Sequence, residues 1–499
     1  MFVSSTIFYF FLAHLLPSNE VGSISLLYAI MAIGTTVFML GLSNGIQHFF
    51  SYHLAKNNNN TLLELIRKTA LLGTLLAISA FLSIYFLSLY ISILFFHSLY
   101  YELYIKIIGI AIASSIIVNI FSAMLLGLNQ YKKYSLIYTF VYALTYLFPL
   151  FLLFIFGRPV YLVSGIAIIN SVSALIFVFF ILKLYRIIGV ERSNYENEAY
   201  KNIIHYSTPL FFSSIMGTSA TYIDRLVVSY FINLSSLGIY NFALVIASAA
   251  TILISPVSNL LVPKLSSFFA MDNINTFRSS IRMLLNLVSL LYIPSGLGIA
   301  ALSRPLLFIF AGQAYEKAYI PLIIIMFTTS IFIGSTVLIT GLLSIRKTRI
   351  YAFSSGLSLT SNIVLSIILI PIFGIIGASI SYSSMNAVTF FVVYYYAKRF
   401  QIVNYDKRRI SKIWIASLIM FLFVFSFQNY IDYSIINIFI CIFLGIIIYL
   451  FEIKIFKLIN RDEINFVLSV IPKRFTLVRY MIKNLAYRDT NNKVKWDSK

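Results

Sequence analysis

Apolar runs long enough to cross a bilayer follow one another along this chain. Residues 70–96, "ALLGTLLAISAFLSIYFLSLYISILFF", contain no charged side chain. A helix needs about 20 such residues to span the hydrocarbon core, and only helices or closed barrels satisfy their backbone groups there. With 60% hydrophobic and only 11% charged residues in 499, the chain lies far from a soluble domain, which carries about 25% charge. Cutting at charges, Pro, Gly and Asn clusters predicts fourteen spans. The first seven are at about 2–17, 24–46, 68–97, 104–128, 134–156, 160–182 and 206–232. The second seven are at about 238–262, 283–303, 318–343, 350–370, 374–397, 413–430 and 433–453. An all-α polytopic membrane protein is the expected fold class.

Charge orients the spans. With the N-terminus placed in the cytoplasm, 32 of the 37 Lys and Arg fall on the cytoplasmic side. Lys106, Arg158, Arg304 and Lys317 fall on the other side, and Arg225 lies within a span. This is the asymmetry of the positive-inside rule, so a cell-membrane protein with both termini cytoplasmic is expected. The basic excess of +21 is then topological, and no nucleic-acid partner is expected. No small-residue cleavage site follows the first run, so the first helix is expected to act as its own insertion signal. The lone Cys441 excludes an internal disulfide and reads as membrane packing.

Two pairs of segments superpose. "LLPSNEVGSISLLYAI" (15–30) aligns with "FINLSSLGIYNFALVI" (231–246) at an offset of 216, with Gly22 on Gly238. "GLNQYKKYS" from Gly127 resembles "GLLSIRKTR" from Gly341 at an offset of 214. A repeat of six spans is even, so both copies would have the same orientation, related by an axis along the membrane normal with a substrate site between them. The expected organisation is a six-helix lobe over 1–186, a cytoplasmic linker over 187–205, a second lobe over 206–398, a helix pair over 413–457 and a basic amphipathic tail over 458–499. The first run is short against its repeat counterpart: either the chain starts late or this helix is short.

Three stretches carry a resemblance: "LLPSNEVGSISL", "STPLFFSSIMGTSATYIDRLVVSYFINLSSLGIYNFA" and "LLSIRKTRIYAFSSGLSLTSNIVLSIILIPIFGIIGASISYSSMNAV". In their order and spacing the chain resembles the polysaccharide flippases of the multidrug/oligosaccharidyl-lipid/polysaccharide superfamily. The resemblance covers nearly all of 1–455. It implies two six-helix lobes around a central cavity walled by helices 1 and 7, and movement of a polyprenyl-linked oligosaccharide from the cytoplasmic to the outer leaflet by alternating access.

A lipid-linked glycan has a wet head and a diphosphate that cannot cross hydrocarbon unaided. Its carrier needs a hydrated path with polar groups and a cation. Asp224 and Arg225, in "TYIDRLVVSY", are charged inside the seventh span, where each costs about 2.5–3.5 kcal/mol on insertion scales. Neighbours lie about 100° apart on a helix, so one is expected to face the cavity while the other meets a neighbouring helix. Arg225 is the expected diphosphate or sugar contact. Asp224 is its tuner or a protonatable coupling group, and a purely structural ion pair is the alternative. Asn44, Gln47 and His48 end span two, and Asn259 and Lys264 end its repeat counterpart. Both ends lie where a basic group could receive a diphosphate, although Lys264 could equally snorkel to the interface. Asn119 and Asn362 lie mid-span, suited to interhelical hydrogen bonding or to glycan contact.

No metal site, nucleotide loop or nucleophile–base pair stands out, and no enzymatic activity or cofactor is expected. A proton or sodium gradient stays open as the coupling source. Val467, Val470, Ile471, Val478, Met481, Ile482 and Leu485 have helical spacing among Lys and Arg, expected to rest on membrane lipids, with contact to glycan-assembly enzymes as the alternative. Two other functions compete: a cation-coupled multidrug exporter of the same superfamily, and a membrane glycan polymerase or glycosyltransferase. The latter needs a catalytic carboxylate or a large soluble loop.

Overall fold

The computed structural model describes residues 2–56, 58–188, 198–251, 265, 274–345, 347–402, 406–459 and 463. Apart from short 3-10 turns, their regular elements are α-helices: α1 Phe2–Leu15, α2 Ser18–Met39, α3 Leu42–Ala55, α4 Asn59–Phe96, α5 Glu102–Gly127, α6 Tyr131–Phe156, α7 Pro159–Ile188, α8 Glu198–Phe231 and α9 Leu234–Thr251. There follow α10 Ile274–Ala301, α11 Ser303–Ala311, α12 Tyr319–Phe332, α13 Gly334–Ser344, α14 Thr348–Phe373, α15 Ile375–Arg399, α16 Lys407–Phe427 and α17 Ile435–Phe456.

Among the described residues, 12 helical segments are long and apolar enough to cross a membrane. The other two expected spans are α1, which is short, and α8, whose apolar run is diluted by Lys201, His205, Asp224 and Arg225. Fourteen is therefore an approximate count. The second expected span is divided: Leu40 and Gly41 both have left-handed backbone, φ 49° and 69°, and separate α2 from α3. The expected lipid-surface helix in the tail, residues 189–197 of the expected linker, and Asn259 and Lys264 lie outside the described residues.

One helix, α4, packs largely inside-out relative to a soluble bundle. On α4 the small side chains Gly73, Ala77, Ala80, Ser88 and Ser92 are buried, whereas Leu71, Leu75, Ile78 and Phe86 are exposed. Lipid solvates large apolar groups as well as protein does, so close backbone approach by small residues is what holds such helices together.

By contacts the chain divides into two compact units, one of 1–242, 310–315 and 355–385 and one of 243–309, 316–354 and 386–499. In the second, α10, α16 and α17 enclose a core of Leu290, Ile293, Leu297, Met420, Val424 and the buried Cys441. The Tyr449 hydroxyl donates to the Leu290 carbonyl (2.9 Å) and ties α17 to α10.

The first unit holds the repeat contact. A side chain at Gly22 would place its Cβ 1.8 Å from the Leu234 carbonyl oxygen, and one at Gly238 would place it 2.1 Å from that of Ser18. The two clashes are reciprocal, because 18 and 234 differ by the same 216 as 22 and 238. Ser18 and Ser235 hydroxyls share a hydrogen bond (2.6 Å), and the Ser25 hydroxyl donates to the Asn241 side chain (2.9 Å). Ser18 meets Ser235, Gly22 meets Gly238 and Ser25 meets Asn241, rising together along both helices while the two carbonyl contacts are the diagonals between them, so α2 and α9 run parallel. Antiparallel helices would pair rising with falling numbers. The reciprocal contacts are those of two helices related by a local twofold axis.

Candidate functional site

The charged pair on α8 is split by the geometry of its helix. The Asp224 carboxylate is fully buried. It accepts from the Tyr240 hydroxyl of α9 at 2.7 Å and from the Arg225 backbone N–H at 2.9 Å. The Tyr240 hydroxyl also lies 3.5 Å from the Ala378 carbonyl of α15. Asp224 thus is the member of the pair that meets neighbouring helices. The rotation between neighbours carries Arg225 elsewhere. Its guanidinium donates to the Thr221 carbonyl (2.8 Å), lies 4.7 Å from the Tyr222 ring centroid and keeps one nitrogen 3.8 Å from the Asp224 carboxylate. Its side chain remains 12% exposed.

A buried carboxylate is tolerated when its lone pairs are occupied and a cation is near. Asp224 has both, and so holds Arg225 from behind. Tyr240→Phe removes one donor from a fully desolvated anion and is expected to lower stability by about 1–3 kcal/mol. A fall in the thermal inactivation temperature of detergent-solubilised protein, coupled non-additively to Asp224→Asn, checks this.

Around Arg225 the structure gathers residues that the sequence reading did not single out. Tyr9 of α1 lies within the electrostatic reach of Arg225 and of Tyr222 and Tyr142. Tyr28 of α2 and Tyr146 of α6 interact with Tyr9 and Tyr142 in the same way. Phe8 closes the group, with its ring edge-on to Tyr146 (5.5 Å) and Tyr28 (6.1 Å). Tyr9 of α1 and Tyr222 of α8 thus flank the guanidinium, and the phenols of α2 and α6 adjoin Tyr9 behind them. Phenols suit this place because each couples a lipid-compatible ring to one hydroxyl that both donates and accepts. The only signal in the chain was the spacing of Tyr134, Tyr138, Tyr142 and Tyr146.

The remaining expected residues separate. Asn362 is buried and ties α14 to α8, donating to the Ala220 carbonyl (2.9 Å) and accepting from the Ser366 hydroxyl (3.1 Å). It makes a helix-to-helix link, one of the two roles its mid-span place suited. Asn119 is exposed and donates to Ser115 of its own helix (2.8 Å). The interhelical bond beside it is made by the unforeseen Asn170 of α7, which accepts from the Ser115 hydroxyl (3.1 Å). Asn44, Gln47 and His48 are exposed on α3. The His48 ring stacks on Tyr206 of α8, with centroids 4.9 Å apart and planes at 10°. Tyr206 precedes Arg225 by about 28 Å of helix, so this polar group forms a separate station near the other end of α8.

Residues 3–269 match the family described as polysaccharide biosynthesis protein. Among named relatives, the chain is 24% identical over 278 residues to the probable low-salt glycan biosynthesis flippase Agl15 of Haloferax volcanii. That alignment covers 54% of this chain and 58% of the relative, so the chain spans little more than half of that protein's length. In fold it is similar to the lipid II flippase MurJ in an inward closed conformation, with a TM-score of 0.73 at 20% identity over 91% of this chain and 96% of the other. It is also similar to an inward-facing multidrug resistance MATE family transporter of the MOP superfamily, with a TM-score of 0.68 at 12% identity over 80% and 94%. With more than half of its length matched to that family and a fold shared with these transporters, the chain belongs to the polysaccharide biosynthesis protein family.

Proposed function

We propose that this protein is a flippase that moves a polyprenyl-diphosphate-linked oligosaccharide from the cytoplasmic to the outer leaflet of the cell membrane. Both termini lie in the cytoplasm in this reading, and the cycle is one of alternating access, without a covalent step and without enzymatic activity. One observation carries it: a partly exposed guanidinium inside a spanning bundle, flanked by Tyr9 and Tyr222 and backed through Tyr9 by the tyrosines of α2 and α6. A cation there offsets the charge of a diphosphate, for which guanidinium geometry is well matched. The phenols replace hydration that the glycan loses, and the prenyl tail stays in lipid. Asp224 keeps Arg225 aimed and charged, and a proton or sodium gradient supplies the drive.

Family membership supports this reading over drug export, because the fold is common to both activities while the matched family is one of polysaccharide biosynthesis. A leaflet-resolved assay of lipid-linked oligosaccharide in a deletion strain tests it. Accumulation on the cytoplasmic leaflet is expected. Normal outer-leaflet glycan with altered drug sensitivity would instead establish the exporter.

A further inference from the structure

The tyrosines near Arg225 continue into a row that the charged site does not account for. Along α6, Tyr134, Tyr138, Tyr142 and Tyr146 follow at every fourth residue, their ring centroids 5.2, 6.2 and 5.3 Å apart. The row covers about 18 Å of helix axis at 1.5 Å per residue. It begins beside Lys132 and Lys133 and ends at the cluster around Arg225.

Three observations separate this row from ordinary membrane tyrosines. Interfacial anchors sit at one depth, near the headgroups, whereas this row extends from the N-terminal end of α6 to about its middle. The opposite face of α6 is the lipid face, with Leu136, Phe140, Phe151 and Phe154 exposed by 57% to 75%; at about 100° per residue the tyrosines point away from it. The row also meets an unfilled polar group: the Tyr28 hydroxyl, out of contact with solvent and close to Tyr142 and Tyr146, has no hydrogen-bond partner among the described residues. A buried hydroxyl without a partner is unfavourable by itself and is resolved when a ligand or water pairs with it.

We propose that this row is the glycan track: the phenol hydroxyls of Tyr134, Tyr138, Tyr142 and Tyr146, with Tyr28 at the inner end, exchange hydrogen bonds with the hydroxyls of uncharged pyranose units while Arg225 holds the diphosphate. The inference rests on the flippase reading and adds the orientation of the substrate. The anion lies at the inner end of the row, and the sugars extend along α6 toward Lys132 and Lys133. A pyranose carries hydroxyls around an apolar ring, which suits an edge of alternating ring carbon and hydroxyl. The rung spacing is close to the length of one sugar unit, so a chain can advance by exchanging one weak contact for the next. Transport through a site requires this kind of multi-point, individually weak binding. A row of phenols offers no fixed charge, which points to neutral sugars over acidic ones.

Full-length protein in lipid nanodiscs provides the test, by saturation-transfer NMR with two separate probes, maltopentaose and inorganic pyrophosphate. The wild-type protein is expected to bind both. Tyr138→Phe/Tyr142→Phe, which removes only two hydroxyls, is expected to weaken maltopentaose about tenfold and to leave pyrophosphate unchanged. Arg225→Ala is expected to do the reverse. No binding of maltopentaose to the wild type, or equal binding to the double variant, overturns the track. In cells the failures are distinguishable. Normal leaflet distribution in the deletion strain removes the flippase reading itself, whereas defective transport in the deletion but wild-type transport in the double Phe variant removes the track alone.

Discussion

Arg225→Ala is expected to leave a folded, membrane-inserted protein that delivers lipid-linked glycan to the outer leaflet at least about tenfold more slowly, with the glycan accumulating on the cytoplasmic side. The expectation follows from where the two charges point. Arg225 makes its side-chain hydrogen bond within its own helix, to Thr221, and among the described residues it donates to no second helix. Truncating it removes a cation from the polar cluster without cutting a link between helices. The loss of one charge-assisted contact to a diphosphate, at about 1.5–3 kcal/mol, corresponds to roughly one to two decades in rate or affinity. Arg225→Lys keeps the charge but loses the planar fork, and is expected to fall between the two. Asp224→Ala should differ in kind, because it leaves the Tyr240 hydroxyl with only its long contact to the Ala378 carbonyl and Arg225 without its counter-charge, and its first effect should be on protein level. Wild-type surface glycan in the Arg225→Ala strain, at equal protein level, would remove this residue from the mechanism.

The largest effect on stability is expected at Gly22 and Gly238. Either Gly→Ala change puts a methyl group within 2.1 Å of a backbone carbonyl oxygen of the facing helix. Backbone cannot rotate aside as a side chain can, so α2 and α9 must separate along the contact. Separation also breaks the Ser18–Ser235 and Ser25–Asn241 hydrogen bonds. Overpacking of this sort costs about 1–3 kcal/mol in a compliant core and more where backbone is the obstacle, so each variant is expected to lose most of its monodisperse fraction in size-exclusion chromatography. Gly217→Ala is the control, since a Cβ added there would meet nothing within 4 Å and the helix should gain slightly from alanine. Equal yields for Gly22→Ala and Gly217→Ala would show that the close approach of α2 and α9 is not required for folding.

Several features were legible in the chain because they depend on one helix at a time. Run length and the punctuation by Gly, Pro and charge located about half of the spans to within a few residues, since a helix must satisfy its own backbone in lipid, while others begin six to nine residues earlier than the apolar run. The largest departure was the second span, divided at Leu40 and Gly41; an apolar run does not reveal a left-handed turn, and Gly41 there lies against the backbone of Phe211 and Ser207 on α8. The offset of 216 was legible as well, because Gly22 and Gly238 are glycines for one shared reason, the near contact of their two backbones. The Asp-Arg pair was visible as a charge where charge is expensive.

What the sequence determined by itself was therefore the class, the spans, the repeat and the presence of a polar pair in the seventh span. Only the tertiary structure decided that Asp224 turns into packed helices while Arg225 lies near Tyr9, which leads on to Tyr28, Tyr142 and Tyr146, and that Asn362 is a strut. The reason is physical. The 100° step fixes how neighbours differ in direction along one helix, but the rotation of each helix against the others is set by packing. In a membrane protein that rotation is poorly written in the hydrophobic pattern, because lipid and protein interior accept the same apolar side chains. Residues far apart in the chain, on α1, α6 and α8, become neighbours only once those rotations are set.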